Sequence, residues 1–212
     1  MRKVFWDNPY QQEWSTRVAA VDGNQVSFDE TIAFSFAGGQ ESDRAFINGM
    51  PVLDSMRVDD LILYTLPEGH GLAQGMTVVM TIDWPRRYRL MRLHFAAELI
   101  LEIVTRTQGW EKVGAHIAEG KARIDFRSET NANTVLESLL HAYNAIIDDN
   151  RPIETGYLDP ATQRRYWKIE GFAQVPCGGT HVRATGEVGR VTLKRDRPGK
   201  GIERIEIRLV DP

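Results

Sequence analysis

The segment "RRYRLMRLHFAAELILEIVTRTQG", residues 86–109, constrains the fold more than any other part of the chain. It is built of helix formers throughout. Pro85 precedes it, where a proline suits a helix's first turn, and Gly109 is a natural C-terminal stop. Apolar residues dominate its middle, so the segment predicts a long, mostly buried helix that other elements must cover. At 212 residues the chain has enough length for one elaborate domain or two small ones packed together.

The covering elements read as strands. Before residue 85, "RVAAVDGNQVSFDE" carries two short apolar stretches around the turn residues Asp22, Gly23 and Asn24, and "MTVVMTIDW" is a further strand candidate. Short strands with frequent turns predict a small barrel over 1–84. Between them, "FAGGQESDRAFING" places Gly38 and Gly39 side by side, which permits either a tight turn or a close ligand approach. A second helix is signalled by "NANTVLESLLHAYNAIIDDN": Leu136, Leu139, Leu140, Tyr143 and Ile147 recur at helical spacing, and Thr134 with Glu137 fits a capping box. Strand candidates "KARIDFR", "RRYWKIE", "GRVTLKR" and "ERIEIRL" surround the helices, so 85–212 reads as an α+β module. No internal repeat or low-complexity linker marks the boundary near residue 85, which rests on the change in composition.

Composition excludes some classes. No run approaches the roughly 20 apolar residues of a membrane span. "MRKVFWDNPYQQEW" meets polar residues before any long apolar stretch and so does not read as a secretory signal. A cytoplasmic location is the expectation. The single cysteine, Cys177, excludes an internal disulfide and fits a reducing compartment. A net charge of -3 provides no global attraction to polyanions, so any nucleic-acid partner would have to be gripped by a local basic patch. "LKRDRPGKGIERIEIRL" and "DWPRRYRLMR" are the candidate stretches, although charge runs are more often solvated faces.

Two pairs of residues carry chemistry. His94 and Glu98 lie four apart on the long helix and therefore share a face. Cys177 and His181 have the same spacing in "CGGTH", where two glycines permit a tight loop. Zinc takes four such ligands in a tetrahedron, and carboxylate is an accepted partner beside nitrogen and sulfur. A thiolate and a carboxylate together would formally neutralise zinc, which acidifies a bound water less than a site richer in neutral ligands does. The plainer reading is that His94 and Glu98 only bond each other and Cys177 is a small buried hydrophobe.

"IDWPRRYRLMRLHFAAELI" and "CGGTHVRATGEVG" resemble the editing domain of alanyl-tRNA synthetase and its free-standing relatives, the AlaX-type alanyl-tRNA editing proteins. "FAGGQESD" stands where the longer members carry a glycine-rich GGGQ segment, and "NRPI" follows the second helix as it tends to in those proteins, so the likeness spans nearly the whole chain. The resemblance implies an α+β fold with a small N-terminal β-barrel-like domain (1–84) packed on a two-layer α+β editing domain (85–212). It implies zinc in a cleft, mischarged tRNA as partner with neither membrane nor DNA, and hydrolysis of the ester joining a wrong amino acid, chiefly serine on alanine tRNA, to the terminal ribose. His94, Cys177 and His181 are then zinc ligands and Glu98 a fourth, or else a proton acceptor for the attacking water. Gly38, Gly39 and Gln40 fall at the substrate, with Gln40 approaching from the first domain; Phe95 either reshapes the substrate pocket or points into the core, and the Thr180 hydroxyl, a candidate catalytic group, either acts near the substrate or only satisfies backbone groups of its tight loop. This chain departs from the family pattern at three places: Glu98 replaces the second histidine, Phe95 replaces threonine, and Ala37 interrupts the glycine-rich segment. The competing expectation is an editing-fold module without catalysis that binds RNA or a structural metal. His70, His116 and His141 have no partner at diagnostic spacing and read as structural or exposed.

Overall fold

The computed structural model describes residues 1–210 as a strand-rich α+β chain. It divides into two compact units, one of Met1–Ala37 with Glu41–Tyr88 and one of Gly38–Gln40 with the chain from Arg89 onward.

The first unit is organised by a seven-stranded sheet in the order Met50–Pro51, Ala45–Ile47, Thr77–Ile82, Glu13–Asp22, Gln25–Phe28, Leu61–Thr65, Asp54–Val58. Its long central strand pairs with Thr77–Ile82 through Glu13–Arg17 and with Gln25–Phe28 through Val18–Asp22, with a register shift between Val18 and Ala20. Such an irregularity bends a strand and strengthens its twist. The sheet accordingly curls as a half barrel, with Met50–Pro51 and Asp54–Val58 at its two edges. Val26, Phe28, Ile47, Ile62, Val78 and Met80 fill the concave core. Into this core runs a charge pair: Arg87 donates through Nε to Asp43 Oδ1 at 2.8 Å and through a terminal nitrogen to Oδ2, and its remaining donors reach the carbonyls of Pro9 and Ile32.

The long helix runs Trp84–Gln108. Asp83 starts it, its carboxylate accepting from Arg86 N and its carbonyl from Arg87 N, so Pro85 falls in the first turn as its fixed φ requires. Between Leu90 and Ile100 every residue except Arg92 and Glu98 is buried. In the second unit, Glu111–Ile117, Ala122–Arg127, Ile202–Leu209 and Val191–Gly199 form a four-stranded antiparallel sheet in that order. Burial alternates along Ala122–Arg127 and Ile202–Leu209, giving one core face with Ile124, Phe126, Ile205 and Ile207. Glu154–Asp159, Arg164–Ile169 and Ala173–Pro176 form a separate three-stranded sheet.

The second helix spans Leu136–Asp149 and buries Leu139, Tyr143, Ile146 and Ile147. The expected capping box is not formed. Thr134 lies in a preceding 3-10 turn, Ala132–Thr134, and spends its hydroxyl on the carbonyl of Asn131, whose own side chain accepts from Asn133 N. The N-cap position falls instead on Val135, which offers no side-chain acceptor, so Thr134 stands one residue too early to pair with Glu137. The helix ends at Asn150 in the left-handed region, φ 45°. There "NRPI" docks on "RATGEV": Ile153 N bonds Arg183 O, Thr185 N bonds Arg151 O, and the Thr185 hydroxyl donates to Ile146 O. Two segments far apart in sequence are thus one structural joint.

Candidate metal centre

Helical spacing brings His94 and Glu98 to one face, as the sequence requires, but they do not simply bond each other. His94 Nε2 lies 3.6 Å from Glu98 Oε1, beyond a normal hydrogen bond. Glu98 Oε2 instead accepts from Trp167 Nε1 at 2.9 Å. Trp167 belongs to Arg164–Ile169, whose alternation buries Arg165, Trp167 and Ile169 together.

The neighbouring strand Ala173–Pro176 delivers the "CGGTH" loop. Cys177 N donates to Arg165 O at 2.9 Å, which seats the start of the loop. Cys177 Sγ then stands 3.2 Å from His94 Nε2 and 3.7 Å from Glu98 Oε1. Gly179 allows the approach: a Cβ there would come within 2.5 Å of His94 Cε1 and 2.7 Å of Nε2. His181 closes the group, so that donor atoms of His94, Cys177 and His181 lie within 4.8 Å of one another. Glu98 is outside that mutually close trio but touches two of its members.

The donors present are compatible with a tetrahedrally bound metal ion. Bonds of about 2.0–2.3 Å at tetrahedral angles put neighbouring donors about 3.3–3.8 Å apart, and the edges among His94, Cys177 and Glu98 measure 3.2, 3.6 and 3.7 Å. His181 Nε2 is buried with no hydrogen-bond partner among the described residues. That omission costs roughly 1–3 kcal/mol unless a ligand fills it. His94 Nδ1 is equally without a partner, although a ligating imidazole generally donates from its second nitrogen.

The electrostatics keep the uncharged donors uncharged. Burial lowers the pKa of His94, with Glu98 opposing and Lys112 adding to the effect. Burial also drives His181 well below the ordinary histidine range, helped by His94 and Arg165. Neutral imidazole is the form that binds metal. Burial, then the Glu98 carboxylate, pushes the Cys177 thiol up against the pull of the Gly179 amide. A cation among these groups would reverse the last shift and draw the thiol proton off.

The other sequence-nominated residues have definite places. Gly38–Gln40 forms part of the second unit, not the first from which Gln40 was expected to approach. Ile117 N donates to Gly39 O at 2.7 Å, and a Cβ on Gly39, φ 89°, would strike Ala115 O at 2.6 Å. Gly38, φ 60°, completes the turn. Gln40 and Thr180 are buried and exchange bonds: Gln40 Nε2 donates to Thr180 Oγ1 at 2.9 Å, and Thr180 N donates to Gln40 Oε1 at 3.4 Å. Phe95 has no exposed surface, packing edge-on against Trp167 at 5.1 Å and His181 at 5.7 Å. His141 is exposed, and His70 bonds Leu72 N in its own loop and Gly23 O in the turn after Glu13–Asp22.

The arginines of "DWPRRYRLMR" are spoken for: Arg86 by Glu41, Arg87 by Asp43, Arg89 by Glu119 O and Arg92 by Val188 O. In the C-terminal stretch Arg195 pairs with Glu203 and Arg204 with Asp125. No helix among the described residues is long and apolar enough to cross a membrane. Sequence reasoning did not find Trp167 or Arg165. The alternation in "RRYWKIE" is the one signal that bears on them, since it puts both on a single strand face.

Comparison with known proteins follows the same residues. Residues 166–206 match the family described as threonyl and alanyl tRNA synthetase second additional domain. Over 98% of its length the chain is 32% identical to alanyl-tRNA editing protein AlaX-M of Pyrococcus horikoshii, covering 97% of that protein. It is 29% identical to AlaX-M of Saccharolobus solfataricus, with 96% of each chain aligned. It is also similar to alanine–tRNA ligase of Ignicoccus hospitalis, 31% identical over 97% of this chain, and there it spans 25% of the relative's length.

Proposed function

The chain belongs to the family of alanyl-tRNA editing proteins, and on that premise we propose that it is a free-standing aminoacyl-tRNA deacylase. Its substrate is mischarged alanine tRNA, foremost Ser-tRNA(Ala), in the cytoplasm. The reaction is hydrolysis of the ester between the wrong amino acid and the terminal ribose. An alanine-activating site cannot strongly reject a slightly different small amino acid, so a second site that favours serine's hydroxyl is chemically useful. The observation that carries the reading is the clustering of buried His94 and His181 with half-buried Cys177, together with an unpartnered imidazole nitrogen.

We assign zinc to this centre, held by His94, Cys177 and His181, with Glu98 as fourth ligand rather than proton acceptor, because Oε1 already faces two of the donors. Zinc would supply Lewis acidity and a fixed point for the aminoacyl end. Gln40, set by the Gly38–Gly39 turn, contributes a polar group for the amino acid, and its exchange with Thr180 holds the loop whose Gly179 abuts His94. Phe95 acts from behind, fixing His181 and Trp167 by edge contacts. The same proposal includes a barrel-like domain over 1–84 and an editing-type domain over 85–212.

Elemental analysis of protein purified without added metal, paired with a deacylation assay, tests it. The expected result is about one zinc per chain and loss of turnover in Cys177→Ala. Protein that is metal-free as isolated, and hydrolyses as well with alanine at 177, would sink the assignment.

A further inference from the structure

We infer that Trp167 is a positioning residue for the metal centre: its indole N–H holds Oε2 of Glu98 so that Oε1 alone is presented to His94 and Cys177. The inference rests on the metal-binding reading above and concerns the one donor in which this chain departs from its family's pattern. An imidazole reaches a metal through a rigid ring with one nitrogen forward. A carboxylate lacks that rigidity, since its terminal torsion is broad and either oxygen can turn inward. Glu98 therefore needs an external anchor, and the structure contains one.

Trp167 Nε1 lies 2.9 Å from Oε2, and Oε1 of the same carboxylate lies 3.6 Å from His94 Nε2 and 3.7 Å from Cys177 Sγ. An indole N–H only donates, so it can fix the carboxylate without competing as a ligand. The ring is itself held. Trp167 is fully buried, and Phe95 packs edge-on against it at 5.1 Å while touching His181 at 5.7 Å. The strand carrying Trp167 also seats the cysteine loop, through the bond from Cys177 N to Arg165 O. One strand thus sets both the sulfur and the oxygen donor.

The test is a double-mutant cycle on metal affinity in the full chain, read by chelator competition for zinc(II) and by the visible ligand-field bands of the cobalt(II) form. Trp167→Phe keeps an aromatic ring beside Phe95 and deletes the N–H. It is expected to weaken binding about 10- to 100-fold, the usual effect of losing an outer partner of a ligand, and to shift the cobalt bands. Glu98→Ala should weaken binding as well, and adding Trp167→Phe to it should change neither affinity nor spectrum further. Should Trp167→Phe fold poorly, 3-benzothienylalanine at 167 replaces the N–H by sulfur in the same ring shape, and the same losses are expected. Unchanged affinity in either single variant at 167 overturns the inference. So does an equal loss with and without Glu98, which would mean that Trp167 acts through packing, and so does a wild-type chain that takes up neither metal. Deacylation measured on the same samples separates this from the editing reading. A centre that follows the cycle in a protein inert toward mischarged tRNA keeps the inference and defeats the function. A hydrolase whose metal binding ignores Trp167 does the reverse.

Discussion

A methyl group at position 179 would stand 2.5 Å from Cε1 of His94, a ring that is only 3% exposed and has nowhere to retreat. Overpacking of this kind costs about 1–3 kcal/mol. Gly179→Ala is therefore expected to weaken zinc binding by roughly 5- to 150-fold, measured by chelator competition, while the circular dichroism of the metal-free protein stays that of the wild type. In the first unit the decisive pair is Arg87 with Asp43, both side chains wholly buried. Removing one partner of such a pair leaves an uncompensated charge, so Asp43→Ala should lower stability by about 3–5 kcal/mol, read from the denaturant midpoint. At this scale the sequence was legible where donors are near neighbours in the chain: the spacings 94/98 and 177/181 put each pair together. Trp167 was not legible, because its bond to Glu98 spans 69 positions and no local pattern encodes it. Asp43 was hidden likewise, 44 positions from Arg87.

The long helix was the most legible element, since its apolar middle and its Pro85 and Gly109 boundaries all agree with Trp84–Gln108. The second helix was legible in its apolar stripe but not at its start. There the capping box lost to a 3-10 turn closed by Asn131, a competition between two local hydrogen-bonding solutions that composition does not decide. The two solutions predict different mutants. Glu137→Ala should change the urea midpoint by no more than about 0.5 kcal/mol equivalent, whereas Asn131→Ala should cost about 1 kcal/mol. A larger effect at Glu137 than at Asn131 would restore the box. Short elements were the least legible. Ala173–Pro176 has four residues, too few for its alternation to stand out in the sequence, and it pairs with Arg164–Ile169.

Over the whole molecule, a net charge of -3 hides arginines largely matched to acids within each unit. Their pairing sets a pH dependence. Glu203, 4% exposed on the core face of its strand, has its carboxyl held below the usual range by Arg195, with the Ala132 amide assisting against burial. A depressed folded pKa means stability that is complete above the unfolded value of about 4.5 and is lost as pH falls through the folded value. Thermal melts between pH 7 and pH 3 should therefore show falling stability below about pH 4.5, less steeply in Glu203→Gln. Equal slopes would exclude that carboxylate as a source. One measurement reaches the editing proposal directly: the rate at which the purified chain releases serine from Ser-tRNA(Ala), against its release of alanine from Ala-tRNA(Ala). A buried polar partner left unsatisfied by alanine costs about 1–3 kcal/mol, so serine should leave roughly 5- to 150-fold faster, and Cys177→Ala should abolish both. A chain that binds the tRNA but frees neither amino acid, while Glu98→His gains the reaction, would contradict the account and leave a binding module in its place.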